Sequence, residues 1–187
     1  MSPTCWLPEG SRLPDRSSRR PRTALFLDRD GVLVEDVHFL RRVDQVQLIS
    51  EAVNALRTLQ ERYLLIVASN QSGVGRGYFD MQMLEEINRA IAARLADAGV
   101  ALDGVYCCPH HPASGCTCRK PAPGMLLRAA AEWDLDLTTS HMLGDRPTDL
   151  EAGRAAGANA FLLPLDSRAD AWARLTTLLA REPERIN

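Results

Sequence analysis

Long apolar runs, a surplus of positive charge and a phosphate-loop lysine are all missing from this 187-residue chain. No apolar stretch reaches the about 18 residues that a membrane-crossing helix needs. The first residues, MSPTCWLPEGSRLPDRSSRRPR, hold no apolar core of signal-peptide length. The expected compartment is therefore the cytoplasm, with no membrane partner. A formal net charge of −2 gives no general attraction for polyanions, which argues against nucleic acid as a partner. GxxxxGK(S/T) is absent, and Gly73–Gly77 has glycines with no lysine following them. No internal repeat is present. The five cysteines are an odd number, and four of them fall between Cys107 and Cys118, which does not read as a disulfide framework.

What remains is ordinary for a globular enzyme: 45% hydrophobic and 25% charged residues. The length predicts one domain. Residues 1–22 are rich in Pro, Ser and Arg and are expected to form a flexible arm; residues 23–187 are expected to form a single domain. Strands are predicted at Thr23–Leu27, Leu64–Ala68, Gly104–Cys107, Ser140–Leu143 and Ala160–Leu163. Helices are predicted from Ser50 to Gln60, Asp80 to Ala98, Pro123 to Trp133, Asp149 to Ala156 and Asp170 to Leu179. Residues 29–49 read as an irregular or hairpin-like excursion, and Gly73–Gly77 as a flexible rim. Strands alternating with helices imply an α/β fold, a doubly wound and mostly parallel Rossmann-like sheet.

Three strand ends carry chemistry. The first strand runs straight into Asp28 and Asp30, followed by Gly31. The second ends in Ser69, Asn70 and Gln71, and the fourth in Asp145, with Asp149 four residues on. Parallel strands bring such ends to one edge, where open sheets bind their ligands. Lys120 lies between them in sequence. This inventory suits phosphoryl transfer. A carboxylate can attack phosphorus, and Mg²⁺ held by Asp28 and Asp145 can neutralise phosphate charge. Lys120 and Ser69 can hold phosphoryl oxygens. Asp30 is left to protonate the leaving alkoxide and then to deprotonate water. Arg76, on the glycine-rich rim, is a candidate contact for a distal phosphate.

Residues 107–118 read CCPHHPASGCTC. Cys108 with His110, and Cys116 with Cys118, form two short pincers joined by a loop. Three thiolates and one imidazole make a tetrahedral Zn²⁺ set, and four protein ligands favour a structural ion over a hydrolytic one. Cys107 and His111 are spare candidates.

The segments DRDGV at 28–32, SNQSG at 69–73, CRKPAPG at 118–124 and GDRPTDLEAG at 144–153 resemble the four motifs of haloacid-dehalogenase (HAD) type phosphatases. Together with the CPHHP zinc loop they are similar to the D-glycero-D-manno-heptose-1,7-bisphosphate 7-phosphatase family. The resemblance covers about residues 23–165 and implies a HAD fold with a minimal cap and a zinc-stabilised loop. It implies Mg-dependent hydrolysis of the 7-phosphate of D-glycero-D-manno-heptose 1,7-bisphosphate through an aspartyl-phosphate, in nucleotide-activated heptose biosynthesis. Asp28 is then the nucleophile. Asp30 is the acid/base and gives Mg²⁺ its backbone carbonyl. Ser69 and Lys120 bind the phosphoryl group, Asp145 ligates the metal, and Asp149 supports the lysine–metal network. Asn70, Gln71, Arg119 and Arg146 match positions near substrate or metal, and Cys108, His110, Cys116 and Cys118 match the zinc ligands.

The chain departs from that pattern at Val32, Val34, Arg146 and the Val37–His38–Phe39 stretch, and its zinc loop is short. The changes at 34–39 line the expected substrate mouth, while none removes a reacting group. Rival readings are a histidinol-phosphate phosphatase, a nucleic-acid 3′-phosphatase and a zinc-stabilised scaffold without catalysis. The default oligomeric state is a monomer.

Overall fold

Burial on both faces organises the centre of the computed structural model, which describes residues 4–8 and 22–181. In β2 (Ala24–Leu27) all four residues are buried, with Leu25 and Leu27 in one apolar cluster and Ala24 and Phe26 in another. A strand buried on both sides needs a layer of helices on each. Neighbouring strands repeat the division: Leu65 and Val67 oppose Ile66 and Ala68 on β3 (Leu64–Asn70), and Val105 opposes Tyr106 on β4 (Gly104–Cys108). The first set packs with α1 (Ser50–Leu59), α3 (Met81–Asp97) and α6 (Arg168–Arg181). The second packs with α4 (Gly124–Trp133) and α5 (Pro147–Ala156).

With β1 (Thr4–Trp6), β5 (His141–Gly144) and β6 (Asn159–Leu162), the sheet has six strands among the described residues, in the order β1-β4-β3-β2-β5-β6. All neighbours from β4 to β6 pair in parallel. The chain winds outward from β2 through β3 to β4, then returns to place β5 and β6 on the other side. The switch point therefore lies between β2 and β5, where such folds hold their ligands. Asp28 N–H donates to the Leu143 carbonyl at 2.9 Å, tying the two strand tips together. This is a doubly wound, Rossmann-like α/β fold with only a small cap.

Two expectations need correction. Thr4–Trp6 falls within the stretch read as a flexible arm, yet it pairs antiparallel with β4, and Thr4 Oγ1 donates to the Cys107 carbonyl at 3.2 Å. The partner is about a hundred residues away in sequence, so no local pattern announces it; the physical reason is the open edge of β4, whose backbone groups need partners. The remainder of the expected arm, 9–21, lies outside the described residues. The expected rim at 73–77 begins instead as a helical turn, α2 (Ser72–Gly75), with Ser72 and Gly73 buried. It packs so closely on the cysteine loop that a Cβ on Gly75 would lie 2.3 Å from the His111 nitrogen. The excursion at 29–49 is irregular, as expected. It is held by bridges Asp30–Val34 and Val34–Leu48 and contains a 3-10 turn at Val43–Gln45. No helix among the described residues is long and apolar enough to cross a membrane.

Candidate active site

The strand ends converge. Asp28 leaves the tip of β2, Ser69 and Asn70 end β3, and Asp145 follows β5. Pro147 opens α5 and brings Asp149 into its first turn. Lys120 enters from the loop before α4, and its side chain is 1% exposed. Its Nζ lies 3.0 Å from Asp28 Oδ1 and 2.6 Å from Asp149 Oδ1. Burial by itself would lower the lysine pKa, but the Asp28 and Asp149 charges outweigh it and hold the ammonium above its ordinary value. Burial pushes Asp28 up despite Lys120, and Asp149 and Asp30 push the same way.

Asp28, Asp145 and Asp149 each offer an oxygen within 4.8 Å of the others. Burial, then repulsion from Asp28, raises Asp145 to about 6. Its buried Oδ1 has no hydrogen-bond partner among the described residues, and Arg146 Nε stands 3.9 Å off. A buried carboxylate oxygen without a donor is costly, and a cation beside it removes that cost. The cradle is shaped for this. Gly31 has φ +83°, and a Cβ there would meet Asp145 Oδ2 at 2.5 Å. An oxygen-only donor set fits a hard divalent ion such as Mg²⁺. Asp149 is less free than its partners: it holds Lys120 and accepts the Arg146 N–H at 3.0 Å.

Asp30, expected to offer magnesium its backbone carbonyl, has its carboxylate held by other side chains. Arg29 Nε donates to both its oxygens at 3.2–3.3 Å and Arg29 Nη2 to Oδ1 at 3.1 Å. Gln71 Nε2 donates to Asp30 Oδ2 at 2.8 Å and to Ser69 Oγ at 2.9 Å. Ser69, as acceptor there, keeps its hydroxyl proton available as a donor. Gln71 Oε1 accepts from Arg29 Nη2 at 2.8 Å. Arg29 Nη1 donates to Asn88 Oδ1 on α3 at 3.2 Å. Arg29 and Asn88 were not read from the sequence as site residues. The available signal was Asn88 itself, a polar side chain four residues from Leu84 on the otherwise apolar stripe of α3.

The other predicted residues divide by placement. Asn70 does not face the carboxylates with a free amide: its Nδ2 donates to the Lys120 carbonyl and its Oδ1 accepts the Lys120 N–H, both at 3.0 Å. It clamps the lysine backbone. Arg119 is half-buried, with an Nη1 that has no hydrogen-bond partner among the described residues. Arg76 is exposed at the end of α2. Arg146 reaches Asp36 at 2.9 Å across the mouth. Beyond it, Val37, His38, Phe39, Arg41, Arg42 and Gln45 line a cleft of about 330 Å³. Phe39 sets its edge on Tyr78, and Arg41 lies 4.7 Å above the Tyr78 ring.

The second cluster holds Cys108, His110, Cys116 and Cys118, with one ligand atom of each within 4.8 Å of the rest. His110 Nδ1 is 3.4 Å from Cys108 Sγ and 3.2 Å from Cys118 Sγ, and Cys116 Sγ is 3.6 Å from both other sulfurs. Sulfurs about 2.3 Å from one tetrahedral ion lie roughly 3.8 Å apart, so this spacing fits zinc. The spare candidates drop out. Cys107 is buried in the opposite core, its sulfur accepting from Asn88 Nδ2 at 3.6 Å. His111 is exposed, and its ring accepts the Ala113 N–H. The loop is bonded to the carboxylate site: Gln71 N–H donates to the Cys108 carbonyl at 2.8 Å and Gly75 N–H to the Pro109 carbonyl at 2.9 Å.

Comparison with known proteins agrees with this geometry. Residues 117–184 match the HAD-hydrolase-like family profile. A D-glycero-beta-D-manno-heptose-1,7-bisphosphate 7-phosphatase of Pasteurella multocida is 44% identical over 142 residues, 72% of this chain and 77% of that protein. Its namesake in Escherichia coli is 38% identical over 148 residues, 75% of this chain and 78% of that protein. Among solved structures, the D,D-heptose 1,7-bisphosphate phosphatase of B. bronchiseptica, complexed with magnesium and phosphate, superposes with a TM-score of 0.72. It is 34% identical, over 87% of this chain and 89% of that one. A HAD-like phosphatase from Mesorhizobium loti, 28% identical, superposes with a TM-score of 0.80 over 98% of both chains. At this identity and coverage, the chain belongs to the D-glycero-D-manno-heptose-1,7-bisphosphate 7-phosphatase family of HAD-type phosphatases.

Proposed function

We propose that this chain hydrolyses the 7-phosphate of D-glycero-D-manno-heptose 1,7-bisphosphate through an aspartyl-phosphate on Asp28, with Mg²⁺ as cofactor. The observation that carries the reading is the Asp28 carboxylate at the central strand tip, 3.0 Å from a buried Lys120 and clustered with Asp145. The substrate follows the named activity of the 44%-identical relative.

In the first step an Asp28 oxygen forms a bond to phosphorus as the bond to the sugar oxygen breaks, and Asp30 gives that oxygen a proton. In the second, Asp30 takes a proton from water, which attacks phosphorus and frees Asp28 and inorganic phosphate. Lys120 and Ser69 hold the phosphoryl oxygens. Asp28, Asp145 and the Asp30 carbonyl are the residues that would hold Mg²⁺, which would supply positive charge beside those oxygens. Asp149 keeps Lys120 charged and placed. Arg119, with a guanidinium nitrogen that has no partner among the described residues, is the better placed donor for the distal phosphate, and Arg76 a second one. Cys108, His110, Cys116 and Cys118 would hold a structural Zn²⁺. The enzyme acts as a cytoplasmic monomer on a small sugar phosphate.

The test is kcat/KM for the heptose bisphosphate, histidinol phosphate and a 3′-phosphorylated oligonucleotide, in wild type, Arg119→Ala and Arg76→Ala. The expected result is a clear preference for the heptose bisphosphate, reduced more by losing Arg119 than Arg76. A preference for either rival substrate overturns the assignment, and release of no phosphate from any of them restores the scaffold reading.

A further inference from the structure

Arg29 is 1% exposed and stands between two aspartates of the site. A guanidinium so deep in a protein is costly unless its donors are met. Here Nε and Nη2 grip the Asp30 carboxylate, Nη2 also reaches Gln71 Oε1, and Nη1 reaches Asn88 Oδ1. Gln71 closes the ring with its own donation to Asp30 Oδ2. Asn88 is 5% exposed and anchored in turn to the Cys107 sulfur on β4. Asp30 is the end of this chain that meets solvent, with its side chain 21% exposed. A carboxylate on a short turn could take several rotamers. Here donors from two elements fix it: Arg29 on its own turn, seated by α3, and Gln71 just past β3.

We propose that Arg29, seated by Asn88, is a positioning residue that aims the Asp30 carboxylate for proton transfer. Arginine is needed at position 29 because its planar fork spans three acceptors at once, which a lysine ammonium on a flexible stem cannot do. Loss of aim costs rate steeply where geometry sets the proton transfer. The inference rests on the acid/base reading of Asp30 given above.

The test is rapid-quench measurement of the first phosphoenzyme-forming turnover in wild type, Asn88→Ala, Arg29→Lys, Asp30→Asn and the double variant Asn88→Ala/Asp30→Asn. Two substrates are used, the sugar bisphosphate and p-nitrophenyl phosphate, whose leaving group needs no proton. Asn88→Ala and Arg29→Lys should each slow the sugar-phosphate burst by about tenfold. KM should stay within about twofold and the nitrophenolate burst within about threefold. On top of Asp30→Asn, Asn88→Ala should have no further effect on the burst. Equal slowing of both bursts shows a general loosening of the Asp28 turn and overturns the proposal, as does an undiminished Asn88→Ala effect in the Asp30→Asn background. Should Asp30→Asn alone leave the sugar-phosphate burst intact, the acid/base reading itself falls. If Asn88→Ala does not fold, the Arg29→Lys result decides by the same criteria.

Discussion

The molecule carries two clusters suited to metals, and they are built on opposite principles. The cysteine–histidine cluster supplies three soft thiolates and an imidazole at tetrahedral spacing and leaves no ligand place open. The carboxylate cluster supplies hard oxygens, one of them lacking a donor among the described residues, beside a glycine that keeps the approach clear. A metal bound by the first would turn its binding energy into position. The second crowds negative charge, with Asp145 raised to about 6 by burial and by repulsion from Asp28, an excess that a bound cation would relieve. The backbone bonds from Gln71 to Cys108 and from Gly75 to Pro109 join the two.

The sharpest way to separate the two regions is to damage each alone. Asp28→Asn is expected to reduce steady-state phosphate release by about a thousandfold or more. Its melting temperature should stay within about 3 °C of wild type, and its zinc content should be unchanged. Retention of more than a tenth of the turnover would end the assignment of Asp28 as nucleophile. Cys118→Ser should do the reverse in order. It should lose bound zinc and lower the melting temperature by roughly 10 °C or more, and activity should fall with the folded fraction and with loosening of Lys120. Elemental analysis and thermal unfolding on the same sample check it, and full stability without zinc would remove the closed cluster from the comparison.

A smaller effect is expected where a substitution touches the open cluster without removing a ligand. Gly31→Ala combines a left-handed backbone with a Cβ at 2.5 Å from Asp145 Oδ2. It should cost about 1–2 kcal/mol of stability and weaken the Mg²⁺ activation constant by about tenfold. Titration of activity with Mg²⁺ reads this directly, and an unchanged constant would mean that Asp145 is not held by that contact. Smallest in its effect on activity is Asn70→Ala. Losing its two bonds to the Lys120 backbone should cost about 1–3 kcal/mol, with kcat lowered by several-fold. A kcat loss as large as that of Asp28→Asn would instead make Asn70 a direct partner of the phosphoryl group.

The readability of this fold followed the range of each interaction. Helix α3 announced itself through Leu84, Ile87, Ile91 and Leu95 at helical spacing and through Asp80, whose carboxylate accepts the Met83 N–H at 2.8 Å. Strands β2 to β6 were legible to within a residue or two, and in β2 to β5 the reason is burial on both faces, which makes them short, largely apolar runs. Thr4–Trp6 was not, since three residues carry no period and their partner is an edge elsewhere in the sheet. At the site, Asp28, Asp145 and Lys120 were legible from their place after apolar runs or within a motif. The restraint of Asn70 and the grip of Arg29 on Asp30 were not.

The sequence by itself determined the order of strand ends, the identities of the groups they carry and the close spacing of the soft ligands. Those are local properties, written in periodicity and in neighbours a few residues apart. Only the tertiary structure decided which of these groups meet. Winding to either side of β2 brings Asp28 and Asp145 together, and it spans the sequence separation of 59 from Arg29 to Asn88 to seat a buried guanidinium. Hydrogen bonds of that range depend on two elements packing face to face, and no one-dimensional pattern records which donor will find which acceptor.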